Sequence, residues 1–498
     1  MTLEEIYALP VTNRIAELKR RKTALPNASE LNKDWDEKQH EVFDLEVRKK
    51  RKVMVEEEET DDRGKVTKPA RYEQVDVNRI ALPLEQDIVN IHTAFTVGIE
   101  PTLKPKTEDE NTKSIVEIIR SIYRQNKIKF VNKRAVRSWL SEQEVAEYWY
   151  TQEDSTWWRK VLNTIISLTG TTTTPTYKLK VAVWSPFRGD KLYPYFDEYG
   201  DLIAFSREYT VKDNDGMNEV TKLMTIDHQK VTIFNSLQNT IEREFPHNFK
   251  KLPVIYMYRP NAFCEKIKPI RKRLETLLSN FADCLDFNFF PKLAAKGAIE
   301  NVIGRNTGSE VIVLENGAEI AYLTWQQSPD MAKLEFENLT ERAYSLTNTP
   351  RISFENLKGA GAGFSGVSFR YAFMGTHMAV SNHAEDVEEY LQRRVNFMIS
   401  AIGTIYPKLA DASKQAEIMT EIVPYMIDNQ SDNIKSAVAA VQGGIASKET
   451  GILLAGLTDK LAEELELIKE DEKLAAENAA AGVDKTPMQK KPKEVALN

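Results

Sequence analysis

An apolar stripe running from about Val367 to Ile405 constrains this chain more than any other feature. Phe369, Phe373, Val380, Val387, Leu391, Val395, Met398, Ile402 and Ile405 recur at helical spacing. At ~1.5 Å per residue such a helix exceeds about 50 Å, longer than a compact domain core needs. The subunit that carries it is expected to be elongated.

What precedes the long helix has a distinctive order. Ile270, Leu274, Leu277, Leu278, Phe281, Leu285 and Phe289 mark a helix that starts at Pro269. A compact insert follows, about 291–328, in which Glu310–Leu314 and Glu319–Leu323 flank Asn316-Gly317. Asn-Gly between apolar runs is the strongest short-range hairpin signal. Pro329 then opens a second amphipathic helix with Met331, Leu334, Leu339, Ala343 and Leu346. Helix, small tip and helix form one unit: two stalks and what they carry. After Pro350 the chain breaks into a glycine-rich stretch, Leu357 to Gly366, before the long helix. Arg271, Lys272 and Arg273 sit in the first turns of the first stalk, where positive charge opposes the helix dipole. They need another reason to be there: a solvated face, ion pairs between subunits, or a nearby polyanion.

The rest of the chain supports these stalks. To about residue 75 it is polar and charge-blocked, with Arg48-Lys49-Lys50-Arg51-Lys52 followed by Glu56–Glu59 and Asp61-Asp62. A basic pentamer can be a nuclear signal or a nucleic-acid patch, but the acidic block points to two arms of a hairpin or helix pair whose charges meet. Residues 78–175 read as mostly helical, ending at Thr171–Pro175, with Ile115, Ile118, Ile119 and Ile122 as one helix face. Trp139, Trp149, Trp157 and Trp158 read as packed core or subunit contact rather than a base-stacking platform. Tyr177–Val183, Leu202–Val211, Val220–Ile226 and Val231–Phe234 are β-branched and aromatic runs separated by Tyr199-Gly200 and Asn214-Asp215-Gly216, which predicts an antiparallel sheet of hairpins. Residues 408–470 read as helical with breaks at Gly443-Gly444 and Gly451. From about 471 the Ala, Glu, Lys and Pro composition reads as a disordered tail.

No chemistry-bearing motif survives inspection. Gly361-Ala362-Gly363-Phe364-Ser365-Gly366 matches G-x-G-x-x-G, but a dinucleotide site needs a preceding strand and a parallel sheet. No Gly-Lys-Ser/Thr completes a phosphate loop, and Gly363–Gly366 falls short of a nucleophile elbow. Asp213-Asn214-Asp215-Gly216 lacks the ligand spacing of a calcium loop. The six histidines form no tight ligand pair, and His377 and His383 lie on different faces of one helix. Cys264 and Cys284 read as lying far apart along a single helix, so they cannot bridge within it, and a reducing compartment fits. No catalytic residue, metal or cofactor is expected. Lys and Arg number 67 against 74 Asp and Glu, so the formal charge is −7, which argues against a simple basic nucleic-acid coat without excluding a local basic surface. No apolar run is long enough to cross a membrane, and the start, MTLEEIYALP, lacks the pattern of a signal peptide.

Taken in order, these elements resemble the portal protein of tailed double-stranded DNA phages, in particular the portal family of long-tailed phages. The residues that carry the resemblance are Val77-Asn78-Arg79-Ile80, Leu252-Pro253-Val254-Ile255 and Ser365-Gly366-Val367-Ser368-Phe369-Arg370. In the family the last block is usually Ser-Gly-Val-Ala-Leu-Lys. Coverage is about residues 75–465. The resemblance implies an α+β, elongated portal-type subunit with a mainly helical wing, stem and crown, antiparallel β hairpins in the wing and a small α/β clip. It assigns 1–75 as a charged N-terminal arm, 76–265 as wing, 266–290 and 329–346 as stem helices and 291–328 as clip. It assigns 347–366 as tunnel loop, 367–407 as long wing helix, 408–470 as crown and 471–498 as tail.

The same resemblance implies a homo-oligomeric ring, a dodecamer, at one capsid vertex of the virion, assembled in the host bacterial cytoplasm. Double-stranded DNA would pass without sequence specificity. Terminase and the head-completion adaptor would dock at the clip, and the major capsid and scaffolding proteins would surround the ring. A channel through which every sequence must pass needs phosphate-facing charge in few places. Lys358, Gly359, Gly361, Gly363 and Ser365 on the tunnel loop and Arg271, Lys272 and Arg273 on the stem are the DNA-facing candidates; a solvated loop charge is the plain alternative for Lys358. Asn316 and Gly317 are the clip hairpin. The alternatives are another virion structural protein, of capsid or tail, and a nucleotide-binding enzyme built on Gly361–Gly366.

Overall fold

The computed structural model describes residues 2–56, 59–60, 66–107, 109–153, 177–212, 218–236, 238–288, 292–296, 299–305, 309–314, 319–323, 329–351, 366–423, 430–456, 458 and 461–480. The chain divides into two units, Met1–Arg351 with Met374–Tyr425, and Ile352–Phe373 with Met426–Asn498.

In the larger unit, α1 (Leu3–Ala8) opens with a capping box in which Thr2 accepts from the Glu5 N–H and Glu5 reaches back to the Thr2 N–H. With α2 (Val11–Leu18) it lays Ile6, Ile15 and Leu18 against Tyr193, Leu223 and Phe234. Then α3 (Ala28–Trp35) leads into the charged stretch, which is a ribbon. There β1 (Arg51–Glu56) pairs with β4 (Arg71–Val75), and β2 (Glu59–Thr60) with β3 (Val66–Lys68), all antiparallel. The hairpin expectation holds, but among the described residues the basic and acidic blocks do not face each other across it; Arg51 is opposite Val75 and Lys52 opposite Gln74. Arg48 meets Asp283, Lys50 meets Asp76, and Glu56 meets Arg71. Pairing followed strand register rather than charge blocks.

Three helices come next: α4 (Leu84–Val97), α5 (Glu110–Asn126) and α6 (Ile128–Glu142), with β5 (Thr102–Pro105) between the first two. The corner from α5 to α6 turns on Lys127 at φ 51°, a left-handed conformation. The helical expectation then ends early, because β6 (Glu144–Glu153) is a strand; Trp157, Trp158 and the Thr171–Pro175 run lie outside the described residues. Trp139 and Trp149 are buried in the main core, as core packing requires. The β region holds β7 (Tyr177–Trp184), β8 (Lys191–Phe196), β9 (Leu202–Lys212), β10 (Glu219–Ile226), β11 (Lys230–Asn235), β12 (Thr240–Pro246) and β13 (Val254–Tyr258). The order β12-β11-β10-β9-β8 is the meander of hairpins the alternation predicts, while β7 instead pairs with β6 in the sheet β13-β6-β7.

The stalks follow as α7 (Lys268–Asn288) and α8 (Pro329–Leu346), with β14 (Lys292–Lys296), β15 (Ile299–Arg305), β16 (Ser309–Leu314) and β17 (Glu319–Leu323) between them. The long helix α9 (Gly366–Ile405) has 40 residues. Its part in this unit buries Val380, and its Val387, Leu391, Val395, Met398 and Ile402 share one core with the α5, α6 and β6 side chains. At the heart of that core Arg394 is fully buried, with its Nε 2.9 Å from Glu147 Oε2 and its Nη1 2.7 Å from Asn132 Oδ1. After α9 the chain makes α10 (Ala412–Gln415) and β18 (Ile418–Glu421), which pairs with β5. The sequence reads as helix at β18; its strand conformation is set by an edge some 300 residues upstream.

In the smaller unit α11 (Gln430–Gln442), α12 (Lys448–Ala455) and α13 (Leu461–Ala480) succeed one another. Gly444, at φ +69°, does end a helix, but Gly451 lies inside α12, where an added Cβ would meet Val441 Cγ2 at 2.4 Å. That glycine is a close-packing residue, not a break. The tail is helical to Ala480, ten residues past the expected onset of disorder.

Candidate functional site

Helix α7, the expected first stem helix, is held by the N-terminal segment rather than left free for a ligand. Arg271 is 1% exposed. Its Nε lies 2.6 Å from Glu85 Oε1 on α4, its Nη1 3.1 Å from Glu275 Oε2 one turn along α7, and its Nη2 2.8 Å from Asp34 Oδ1 on α3. Glu275 also meets His40 Nδ1 at 2.5 Å and accepts the Leu82 N–H at 2.9 Å. Burial pushes the Glu85 carboxyl above its usual range, and Arg271 only partly offsets that. Burial also raises Glu275, but His40, the Leu82 N–H and Arg271 outweigh it and hold this carboxyl low. Further along α7, Asp283 accepts from the Asn78 backbone at 2.8 Å and binds Arg48, while Asp286 takes the Asn78 side chain at 2.6 Å and Ser279 Oγ the Ile80 N–H at 3.0 Å.

This corrects one expectation outright. Arg271 cannot face a channel: three carboxylates of its own subunit surround it, and a buried guanidinium without them would be prohibitively unstable. Its ion pairs are within the subunit, not between subunits. Lys272 binds Glu41, and Arg273 Nη2 lies 2.8 Å from Glu335 on α8. Both pairs are partly exposed, and such pairs contribute about 0–1 kcal/mol. These two cations can therefore exchange partners where Arg271 cannot.

The strand pairing between α7 and α8, where the clip is expected, also differs from expectation. β16 pairs with β15, and β17 with β14, so the two strands flanking Asn316-Gly317 belong to different ladders and do not form one hairpin. Asn316 and Gly317 themselves lie outside the described residues, as do Lys358, Gly359, Gly361, Gly363 and Ser365. The residues just before that segment are described. His92 Nε2 lies 3.0 Å from Thr349 Oγ1, Thr347 and Thr349 share a 2.8 Å hydroxyl contact, and Thr376 donates to the Asn348 carbonyl at 2.8 Å. Beneath them His92 and His383 sit 5.6 Å apart, with Phe263 and Trp139 around them. Burial holds both imidazoles neutral, at about 4 for His92 and about 3 for His383. Sequence spacing could not find this pair, because the two residues come from helices almost 300 positions apart.

Among the described residues no group of His, Cys, Asp and Glu is arranged to hold a metal ion. A cleft of about 140 Å³ beside the Arg271 cluster is lined by Asp34, Glu85, Ser141, Cys264 and Lys268. Burial pushes the Cys264 thiol well up, so it stays protonated and is a poor nucleophile. Cys264 also precedes α7 rather than sharing it with Cys284, and neither is in a disulfide.

A family model described as phage portal protein, SPP1 Gp6-like, matches residues 44–478, well over half of the chain. The chain belongs to this phage portal family. A solved structure similar to it is the neck of an empty GTA particle, computed with C6 symmetry; it is 12% identical, with 76% of this chain and 91% of that chain covered and a TM-score of 0.43. No curated protein matches the chain. Portal proteins are structural and non-enzymatic, and as one of them this chain works at the capsid vertex of a phage particle, as a homo-oligomeric ring that is the DNA channel for packaging and ejection and the docking platform. No described helix is long and apolar enough to cross a membrane.

Proposed function

We propose that the chain assembles as a ring of twelve copies without catalytic activity or cofactor, and that the segment 347–366 touches the passing DNA. The match over residues 44–478 carries this reading. In it, Lys358 meets phosphates, while Gly359, Gly361, Gly363 and Ser365 let the loop change shape as each phosphate passes. Lys272 and Arg273 are the stem cations that can reach DNA, since weak exposed pairs hold them. The strands between α7 and α8 form the clip that terminase and the head-completion adaptor grip, and the capsid and scaffolding proteins surround the wing. Assembly takes place in the host bacterial cytoplasm.

The test is the mass and shape of the purified protein by light scattering and negative-stain microscopy. Twelve copies of a 56.9 kDa chain give a ring of about 680 kDa with a central hole. A ring of another mass would refute the twelvefold number. Tight nucleotide binding abolished by Gly363→Val would refute the absence of an enzymatic site.

A further inference from the structure

We infer that the ribbon β1–β4 of one copy packs along the exposed stripe of α8 on the next copy in the ring. The inference rests on the ring reading above. The ribbon shows why it needs a partner. Its register sets Met54 opposite Tyr72 and Lys52 opposite Gln74, which puts all four side chains on one face. Met54 is 48% and Tyr72 59% exposed, and no described residue of either strand is buried. A two-stranded ribbon with both faces wet is marginal in water; it needs a third strand or a helix against it. Its base is rigid, since Arg48 and Asn78 clasp Asp283 on α7 and the Arg51 guanidinium lies 5.8 Å from the centre of the Phe287 ring. The ribbon is thus held out from the stem with its apolar pair uncovered.

The fitting surface is on the other stem helix. On α8, Asp330, Leu334, Glu337 and Glu341 fall at i, i+4, i+7 and i+11, one line along the helix, with Met331 beside them. Met331 is 73% and Leu334 57% exposed. Among the described residues no cation pairs with Asp330 or Glu341, and the nearest to Glu337 is Lys333, at 3.9 Å. On the ribbon, Lys52 likewise has no carboxylate partner among the described residues. An apolar pair beside Lys52 therefore matches an apolar pair beside Asp330 and Glu341, two carboxylates with no cation partner among the described residues. Ribbon and stripe are different surfaces of one subunit, so the contact is head-to-tail, the kind that propagates from copy to copy until a ring closes. Two such apolar pairs in contact, rimmed by opposite charges, have the composition of an interface centre.

Cross-linking tests this in the full chain with Cys284→Ser, which removes the exposed thiol and leaves buried Cys264. Tyr72→Cys combined with Leu334→Cys, treated with a short bismaleimide, is expected to give a ladder from dimer to complete ring on a denaturing gel, while either single variant stays monomeric. Rings by microscopy without a ladder overturn the inference and leave the ring reading standing. A ladder that stops at dimer overturns it as well, because that is a symmetric pair. Neither rings nor ladder removes both readings. Independently, Met54→Asp should lower the assembled fraction about tenfold at equal concentration, with the melting temperature of the free subunit unchanged. Unimpaired assembly would refute the contact.

Discussion

Arg271→Met separates a structural hub from a DNA contact. In the folded subunit one guanidinium serves Glu85, Glu275 and Asp34, and it is almost completely buried. Methionine fills similar space but leaves buried carboxylates with their cation removed. Breaking such a pair from one side destabilises by about 3–5 kcal/mol, a factor of roughly 150 to 5,000 in the folded-to-unfolded ratio. The pH dependence follows from Glu85. Its carboxyl is already raised by burial, with Arg271 opposing that rise, so the variant raises it further. A carboxyl raised in the folded state contributes stability that is fully present below its unfolded value and is lost as pH rises through the folded value. The penalty should therefore be largest near pH ~7.5 and shrink towards pH ~5. Urea unfolding of wild type and variant at both pH values, followed by tryptophan fluorescence, measures it. Arg271→Lys keeps the charge but not the fork that reaches three partners, so it should recover less than half of the loss. A penalty below about 1 kcal/mol at pH ~7.5 would sink the hub argument, and if DNA passage failed in that same stable variant, the channel-facing role would be restored.

Two further outcomes follow from the buried histidine pair and the proposed loop. With folded values of about 4 and about 3, His92 and His383 support stability fully above their unfolded value near 6.5 and lose it as pH falls towards the folded values. His383→Phe should therefore spare the protein about 2–3 kcal/mol of the stability that wild type loses between pH ~7 and ~4.5; equal acid sensitivity in both would contradict the buried neutral pair. Deleting Gly359–Gly363 should leave ring assembly largely intact and impair DNA packaging, scored by filled capsids; loss of assembly with a normally folded subunit would count against the loop assignment.

Elements whose physics is local were legible. The stripe in α9, the alternation in β9 to β11 and the proline-started helix α8 all appear close to where periodicity puts them. Burial of Trp139 and Trp149 followed from size and apolarity. Pairings were less legible. The Asn316-Gly317 signal predicts that β16 joins β17, yet β16 pairs back with β15 and β17 reaches β14; a turn signal is local, whereas strand partners are chosen between distant segments. β18 has no strand signal of its own and depends on the β5 edge. The dipole argument at Arg271 was sound in demanding a partner. None of the three reasons weighed, a solvated face, ion pairs between subunits or a polyanion, is the one observed, since its partners are carboxylates of its own subunit, on α3, on α4 and one turn along α7 itself.

By itself the sequence determined which segments are helix or strand where apolar spacing is strong, the order stalk–tip–stalk–loop–long helix, and through that order the family. These are properties of neighbours along the chain, where the spacing of side chains is enough. Tertiary structure alone decided which charges are buried and which are free. Arg271 and Arg273 stand two residues apart on one helix, yet one is sealed among three carboxylates and the other is half exposed against Glu335. Successive helical positions turn by about 100°, so a basic run is spread around the helix, and only the packing of distant segments tells which side is covered.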